Sequence, residues 1–391
     1  MKLIDGIPVW GIHEENTISQ IKTCAKTAQA AALMADGHLG YGVPIGGVVA
    51  YEDAISPTGV GFDIACGVKF VRTDATSSEV RTLIKEIMDD IWRTISFGIG
   101  RNNNESVDHP IFDKDHPGWD IVPEIQSFKR NAQSQLGTVG SGNHYVDIFE
   151  DELARIWIGV HFGSRGMGYK TATYFLKKAG AKDGMDVEPC VLSTKSQIGQ
   201  DYLATMKLAG EYAYAGRDWV CNRVVKLLGA NILEEVHNHH NFAWLEKHQG
   251  RDLWVVRKGA TPSFPGQKSA IGGSMGDISV IIEGIEHPEN ELSLCSTVHG
   301  AGRVMGRMEA KGKFKNGQVI REPKVTAKML RDWITPLGVE LRGAGVDESP
   351  HCYKRLPDVL KEHENSIRVL HTLMPLGVAM ASADEHDPFK D

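Results

Sequence analysis

The chain has 391 residues, of which 41% are hydrophobic and 24% are charged, so it holds enough apolar sequence for a sizeable core. It contains no run of about 18 apolar residues, which excludes a helical membrane span. The formal net charge of −7 excludes a generally basic surface, so any site for a polyanion would have to be a local basic patch.

Cysteine usage and the N-terminal sequence indicate a reducing compartment. The six cysteines are scattered singly along the chain, unlike the cysteines of a disulfide framework. The N-terminal stretch MKLIDGIPVWGIHEEN lacks the continuous apolar segment of a secretory signal. We therefore expect a cytoplasmic protein in which each cysteine is either inert core or a thiolate with a chemical role.

The predicted elements mix helices and strands without a strict β-α-β alternation. In chain order we predict a helix over 17–34, strands over 46–52 and 68–73, a helix from a capping box at 76–79 to about 95, a loop over 98–120, a helix over 122–135, a strand over 154–162, a loop over 180–200, helices over 201–229 and 231–246, strands over 252–257 and 277–283, a turn at 288–291, and helices over 323–335 and 356–373. This order favours an α+β fold over a doubly wound sheet. Since no Pro-rich or Gly/Ser linker divides the chain, we predict one domain over residues 1–391.

The stretch GVGFDIACGVK, residues 59–69, places Asp63 and Cys66 three residues apart among glycines and apolar residues. Glycine lets the backbone bend tightly and approach a ligand closely. A carboxylate and a thiolate facing one point suit a transition metal, especially if histidines join them from elsewhere. Taken alone, an Asp-x-x-Cys pair is more often an incidental arrangement.

Histidines recur next to glycines or in clusters in four further segments. The segments are GSGNH (140–144), GVHFGSRG (159–166), EEVHNHHNF (234–242) and TVHGAGR (297–303). A histidine at a strand end beside glycine is a poor core residue because the backbone there is exposed. Four such segments together predict a metal site that recruits histidines. We assign His239 and His240 to packing or surface positions rather than to the metal.

Arginines follow two of these histidines closely. Arg165 comes after His161, and Arg303 and Arg307 come after His299. A guanidinium binds phosphate through two hydrogen bonds, and glycine-rich backbone offers N–H donors to the same oxygens. The alternative is a set of solvated surface charges. Metal, phosphate and a reactive nitrogen in combination predict phosphoryl or nucleotidyl transfer.

With these motifs the sequence resembles the RtcB family of RNA ligases, and among them a divergent, bacterial paralogue. The motifs that carry the resemblance, in order along nearly the whole chain, are DGHLGYGVPIGG (36–47), GVGFDIACGV (59–68), QLGTVGSGNH (135–144), VHFGSRGMG (160–168), RKGAT (257–261), GSMG (273–276), VHGAGRVM (298–305) and DESPHCYK (347–354). The resemblance implies the family's own α+β fold with a central metal cleft. It also implies a GTP- and manganese-dependent ligase that joins RNA 3′-phosphate or 2′,3′-cyclic phosphate ends to 5′-hydroxyl ends, with a role in RNA repair.

The resemblance also implies roles for residues at the matching positions. His299 would be the nucleophile that becomes guanylylated. Two Mn²⁺ ions would be bound by Asp63, Cys66, His144, His161 and His237, with Cys66 bridging them. The nucleotide would be bound by Asn143, Asp147, Ser274, Gly300, Ala301, Gly302, Arg303 and Tyr353. Arg165 and Arg307 would contact RNA or phosphate, and Asp36 would lie near the active site.

The sequence departs from the family pattern at positions that contact the nucleobase. Met380 stands where the family has a lysine, and Asp147 stands where it often has a glutamate. The metal and nucleophile positions are intact. We therefore expect nucleotidyl transfer to be retained, while the preference for GTP over other nucleotides is less constrained. No coiled-coil stripe is visible, so a monomer is expected, and the sequence identifies no activating partner.

Two other functions remain open. A dinuclear metal-dependent phosphoesterase acting on RNA or nucleotides would need similar metal ligands but no covalent histidine–nucleotide. A non-catalytic RNA-binding relative would not need intact ligands. The presence of His299 within HGAGR favours the ligase over the phosphoesterase.

Overall fold

A computed structural model describes residues 1–383 except 114–115, 183, 186 and 316–317. The strands are β1 (Lys2–Ile4), β2 (Ile7–Val9), β3 (Ala30–His38), β4 (Ile45–Tyr51), β5 (Ala54–Ile55), β6 (Gly67–Thr76), β7 (Tyr145–Asp151), β8 (Arg155–Phe162), β9 (Leu192–Ser193), β10 (Ile232–His239), β11 (Asn241–His248), β12 (Arg251–Lys258), β13 (Ala260–Pro262), β14 (Lys268–Ile271), β15 (Ser279–Gly284), β16 (Ser296–Val298), β17 (Lys313–Lys315), β18 (Gln318–Arg321), β19 (Glu340–Ala344) and β20 (Ile367–Ser382). The α-helices are α1 (Glu15–Ala25), α2 (Pro57–Val60), α3 (Ser77–Thr94), α4 (Pro123–Gln135), α5 (Arg165–Lys178), α6 (Gln197–Leu227), α7 (Pro288–Leu292), α8 (Arg307–Lys311), α9 (Ala327–Ile334) and α10 (Leu356–Lys361). Across this part of the chain, no helix combines the length and apolar character needed to cross a bilayer.

Two mixed sheets organise the fold, which confirms the predicted α+β class. The first has the strand order β1-β2-β3-β4-β12-β11. The second has the order β10-β6-β8-β7-β20-β15-β14, and β19 pairs in parallel with β20 at its side. The two-stranded ribbon of β13 and β16 follows β12 and leads to the segment that contains His299.

The long helix α6 serves both sheets because its two halves pack into different cores. Its N-terminal half, including Tyr202 and Ala209, joins the core formed with the first sheet and with α1, α4 and α5. Its C-terminal half, including Val220 and Val224, joins the core between α3 and the second sheet. At 1.5 Å per residue, a helix of this length can span both layers.

The register of the second sheet brings several chain segments to one edge. Gly67 at the start of β6 is opposite Phe162 at the end of β8 and opposite His239 at the end of β10. Tyr145 at the start of β7 is opposite His161 and Met380. In an antiparallel pair one strand begins where its neighbour ends, so residues from distant motifs meet at this edge.

The sequence prediction of a helix over 17–34 is wrong in its second half. Helix α1 ends at Ala25, and residues 30–38 form β3. The alanine-rich run AAALMA has high helix propensity, but β3 is buried almost throughout. A strand buried on both faces gives a continuous apolar run that periodicity cannot distinguish from a helix.

Two further predicted helices are also wrong. Residues 231–246 form β10 and most of β11, which are joined by a tight connection at His240. The helix predicted over 356–373 is right only at its start, because α10 ends at Lys361, residues 362–366 form turns, and 367–373 belong to the 16-residue strand β20. The other predicted strands and longer helices are confirmed with shifted ends, and the turn predicted at 288–291 is the short helix α7.

Candidate active site

A cleft of about 650 Å³ opens at the shared strand edge, between the second sheet and the segment after β16. Most of the site residues predicted from the sequence line it. They are Asp63, Cys66, Asn143, His144, Asp147, His161, Ser274, His299, Gly300, Ala301, Gly302, Arg303, Arg307 and Tyr353. Asp36, Arg165 and His237 are not among the lining residues.

Two groups of potential metal ligands meet in this cleft and share Cys66. In the first group the Nε2 atom of His161 lies 3.3 Å from Cys66 Sγ and 3.2 Å from Nε2 of His240. In the second group the Nε2 atom of His144 lies 3.0 Å from Asp63 Oδ2 and 3.6 Å from Cys66 Sγ. One sulfur therefore belongs to both sets of three ligands, an arrangement that can serve two metal ions.

The protonation of these side chains fits metal binding. Burial, together with the Asp63 carboxylate, raises the pKa of the Cys66 thiol well above its ordinary value, so the protein alone does not ionise it. A bound cation would supply the missing positive charge. Burial lowers the pKa of His161 to about 3 and that of His240 well below the usual range, so both imidazoles are neutral and have a lone pair for a metal. This donor set fits a transition metal.

The loop that contains Asp63 and Cys66 is held by contacts with the connection between β10 and β11. The backbone N–H of Ala65 donates to the Asn241 carbonyl at 2.7 Å, and that of His240 donates to the Cys66 carbonyl at 2.8 Å. Gly67 allows this approach, since a Cβ atom there would lie 2.2 Å from the carbonyl oxygen of Asn238. The glycine directly after Cys66 is therefore required by close packing against β10.

The structure places His240, and not the predicted ligand His237, in a candidate ligand group of the cleft. Strand β10 turns successive side chains to opposite faces, so His237 and His239 point the same way, towards α6. His237 Nε2 accepts a hydrogen bond from Arg217 at 2.9 Å and is not part of either ligand group. His240, assigned to packing from the sequence, lies in the cleft. Period-two alternation over 237–240 is the signal that separates the two residues.

Arg217 is a second residue that the sequence analysis missed. Its guanidinium is fully buried and donates to the backbone carbonyls of Ala65 at 3.0 Å and Phe162 at 2.6 Å, and also contacts His237 and His239. It therefore ties α6 to the segments before β6 and at the end of β8, both of which contain metal-ligand candidates. A lone arginine in an alanine- and glycine-rich helical run is the sequence signal for such a residue.

His299 is held by a buried carboxylate. Its Nδ1 lies 2.6 Å from Asp36 Oδ2, and the same oxygen accepts the backbone N–H groups of His299 and Gly300 at 3.0 and 3.3 Å. Burial opposes ionisation of Asp36, but these contacts outweigh it and keep the pKa of Asp36 below its ordinary value. With Nδ1 engaged by Asp36, Nε2 is the nitrogen whose lone pair is available. The His299 ring lies 4.9 Å from that of His240, next to the ligand groups.

Arg303 and Tyr353 form one side of the cleft beyond His299. Arg303 stacks on the Tyr353 ring and donates to the Tyr353 hydroxyl at 2.8 Å and to the Asp347 carbonyl at 2.9 Å. Arg307 contacts the carboxylates of Glu348 and Asp347. Both arginines thus line the cleft, and their contacts with Asp347 and Glu348 fix the direction of their guanidinium groups.

The opposite side of the cleft contains the two departures from the family pattern. Asp147 and Met380 lie on the adjacent strands β7 and β20 and line the cleft together. Burial raises the pKa of Asp147 well above its ordinary value. Among the described residues, no hydrogen-bond partner reaches Asp147 Oδ1. Asp147 therefore presents a carboxyl group to the cleft that burial favours in its neutral form.

Arg165 lies behind the His144 side of the site. It donates to the Gly98 carbonyl at 2.8 Å and to Thr138 Oγ1 at 3.3 Å. Its guanidinium is so close to Gly140 that a Cβ atom there would lie 2.3 Å from Nη1, and 2.2 Å from His144 Nδ1. Its positive charge also favours the ionised form of Asp63.

Comparison with known proteins agrees with the geometry. A family profile described as tRNA-splicing ligase RtcB matches residues 17–116 and 118–381. A cleft that joins two sulfur-sharing ligand groups to a carboxylate-held histidine thus occurs on a chain that belongs to the RtcB family. The resemblance inferred from the ordered motifs is confirmed.

Individual relatives match along nearly their whole lengths. A protein of Thermococcus kodakarensis named tRNA-splicing ligase RtcB is 32% identical over 89% of this chain and 86% of its own length. The RNA-splicing ligase RtcB of Escherichia coli K12 is 31% identical over 94% of each chain. A tRNA-splicing ligase RtcB of Nanoarchaeum equitans is 30% identical over 94% of this chain and 92% of its own length.

Proposed function

We propose that this protein is an RNA ligase that uses GTP and manganese to join a 3′-phosphate or 2′,3′-cyclic phosphate end to a 5′-hydroxyl end, in RNA repair. Membership of a family whose relatives are named RNA-splicing ligases supports the ligase class. The observation that carries the proposal is the contact of 2.6 Å between His299 and buried Asp36, beside two ligand groups that share Cys66. A single-domain, monomeric organisation and a cytoplasmic location stay predictions.

In the first step, Nε2 of His299 attacks the α-phosphorus of GTP. A nitrogen–phosphorus bond forms, and the bond from that phosphorus to the pyrophosphate oxygen breaks. The Asp36 carboxylate, 2.6 Å from Nδ1 of His299, would orient the ring with its Nε2 lone pair exposed and stabilise the positive charge that develops on the imidazole. Arg303 and Arg307 line the same cleft and can offset phosphate charge.

In the later steps an RNA 3′-phosphate oxygen attacks the phosphorus held on His299, which restores the histidine and leaves the RNA end activated with GMP. The 5′-hydroxyl then attacks the RNA phosphate, the new phosphodiester forms and GMP leaves. A cyclic phosphate end must first be hydrolysed to the 3′-phosphate. Activation is needed because a phosphate monoester is a poor electrophile, whereas GMP is a good leaving group.

Asp63, Cys66, His144, His161 and His240 would hold the metal ions. Bound there, manganese would supply positive charge for the phosphate oxygens and orient the reacting groups. The five side chains supply one carboxylate, one sulfur and three imidazoles, and burial raises the pKa of Cys66, so most of the charge needed to ionise that thiol has to come from the ions.

The test is covalent labelling. The protein is incubated with manganese and α-labelled GTP, denatured, and examined for label that is acid-labile and alkali-stable, as expected of a phosphoramidate. His299→Ala should abolish the label. His287→Ala, which removes a histidine that caps α7 away from the cleft, should keep it.

The phosphoesterase alternative shares the ligand groups but gives the Asp36–His299 pair no covalent role. It predicts hydrolysis of RNA or nucleotide phosphates with no label retained on the protein. Absence of label with GTP, ATP and several divalent metals, together with metal-dependent hydrolysis, would replace the ligase proposal with this one.

A further inference from the structure

Three aromatic side chains form a row beside the Asp63 side of the cleft. The rings of Tyr41 and Phe62 meet edge to face at 6.4 Å, and those of Phe62 and Tyr169 lie 5.6 Å apart at 31°. Tyr169 is 37% exposed, although an aromatic ring is favoured in the core. We refer to these three residues as the aromatic row. The steps proposed for catalysis make no use of it.

The aromatic row adjoins the loop that contains the candidate metal ligand Asp63. Phe62 is the chain neighbour of Asp63, and α5 packs on its backbone through Gly168, where a Cβ atom would lie 2.9 Å from both the Phe62 carbonyl oxygen and the Ile64 nitrogen. The next residue on α5 is Tyr169, so this close approach fixes its ring against Phe62. The Asp63 side chain is 32% exposed, so this side of the ligand set is the side that opens to solvent.

Positive charge lies beside the row. Lys182 is exposed and lines a small hollow together with Tyr41 and Phe62. Exposed aromatic rings beside cationic groups are the combination that binds single-stranded nucleic acid, because every base can stack on a ring while its phosphate pairs with a cation. The protein as a whole has a net charge of −7, so this pairing is local.

We propose that the aromatic row, with Tyr169 as its exposed member, stacks a nucleobase of a single-stranded RNA end and so positions the end phosphate at the Asp63 side of the cleft. The proposal rests on the proposed RNA ligase function and adds to it a subsite for the base. Because all four bases have an aromatic face, this subsite would bind RNA without regard to sequence.

The experiment measures binding of two uridine-rich RNAs that contain the fluorescent base 2-aminopurine. One has it at a 3′-terminal nucleotide with a 3′-phosphate, and the other has it at a 5′-terminal nucleotide with a 5′-hydroxyl. Stacking on a ring quenches the fluorescence, so a quench on binding of the 3′-phosphate RNA supports the row, whereas a quench confined to the 5′-hydroxyl RNA would overturn the proposal. The variants are Tyr169→Ala, Tyr169→Leu, which keeps apolar bulk without a ring, and Tyr169→Phe. Tyr174→Ala removes a tyrosine from the same helix as a matched control.

Loss of one base stack should raise Kd roughly 5- to 150-fold in Tyr169→Ala and Tyr169→Leu and remove the quench. Tyr169→Phe and Tyr174→Ala should bind like the wild type. Wild-type affinity and quench in both Tyr169→Leu and Tyr169→Ala would overturn the proposal, as would the absence of quenching in both wild-type complexes. Covalent labelling of the wild type by GTP is measured in parallel. Labelling with no effect of Tyr169 rejects the row alone, whereas Tyr169-dependent RNA binding without labelling rejects the ligase chemistry alone.

Discussion

Replacement of Asp36 by asparagine removes one negative charge from the buried side of His299 with almost no change in size. In the structure the carboxylate oxygen Oδ2 accepts two backbone N–H groups, at 3.0 and 3.3 Å, and lies 2.6 Å from Nδ1 of His299. An asparagine can present its carbonyl oxygen to the backbone groups or its NH₂ group to the imidazole. If the NH₂ group faces Nδ1, the ring proton moves to Nε2, and the attacking lone pair is lost.

The expected loss follows from these contacts. A hydrogen bond to a charged group contributes about 1.5–3 kcal/mol, which corresponds to a rate decrease of roughly 10- to 150-fold if it is lost in the transition state. Reversal of the tautomer adds to this, and the corresponding Asp→Asn change in a serine protease triad lowers kcat by about 10⁴. We therefore predict that Asp36→Asn slows guanylylation at least about tenfold and at most about 10⁴-fold.

The assay is single-turnover transfer of label from α-labelled GTP to the protein, with manganese present. Manganese content and thermal unfolding are measured on the same samples, since both should stay near wild type if Asp36 acts through His299. Labelling at the wild-type rate in Asp36→Asn would refute the argument that this carboxylate prepares the nucleophile.

The remaining predictions concern the ligands, the packing and one buried acid. His240→Gln should weaken manganese binding at least about tenfold, while His237→Gln should leave it near wild type, as measured by titration calorimetry; equal losses would contradict the ligand assignment. Gly67→Ala should lower the free energy of unfolding in urea by about 1–3 kcal/mol, because the added Cβ would meet a β10 carbonyl oxygen at 2.2 Å, whereas Gly306→Ala, in open space, should change it little. Because burial raises the pKa of Asp147 above its unfolded value of about 3.9, the wild type should lose stability relative to Asp147→Asn as pH rises from about 4 to 7; a constant difference between their urea midpoints would refute this.

Much of the candidate site could be predicted because its residues lie in short glycine-rich motifs. Asp63, Cys66, His144, His161 and His299 each lie within two residues of a glycine in the sequence, and all five line the cleft. The fold then brings these motifs to one sheet edge, as the α+β prediction allowed. The class of site was therefore visible without any knowledge of long-range contacts.

The errors arose where the choice between strand and helix decides which way a side chain points. The predicted helix over 231–246 is a pair of strands in the structure. Along a strand, successive side chains point to opposite faces, so His237 points towards α6 whereas His240 lies in the cleft. The partnership of Asp36 with His299 spans 263 residues of sequence, and its short contact depends on the packing of β3 against the segment after β16. Neither property is encoded in a local pattern.

The central claim is that Cys66 is shared by two metal ions next to His299. Anomalous diffraction at the manganese edge, from crystals of the protein grown with manganese, tests it most directly. We predict two peaks on either side of the Cys66 sulfur, one also bound by His161 and His240 and the other by Asp63 and His144. A single peak that does not touch Cys66, or a peak bound by His237, would contradict the account.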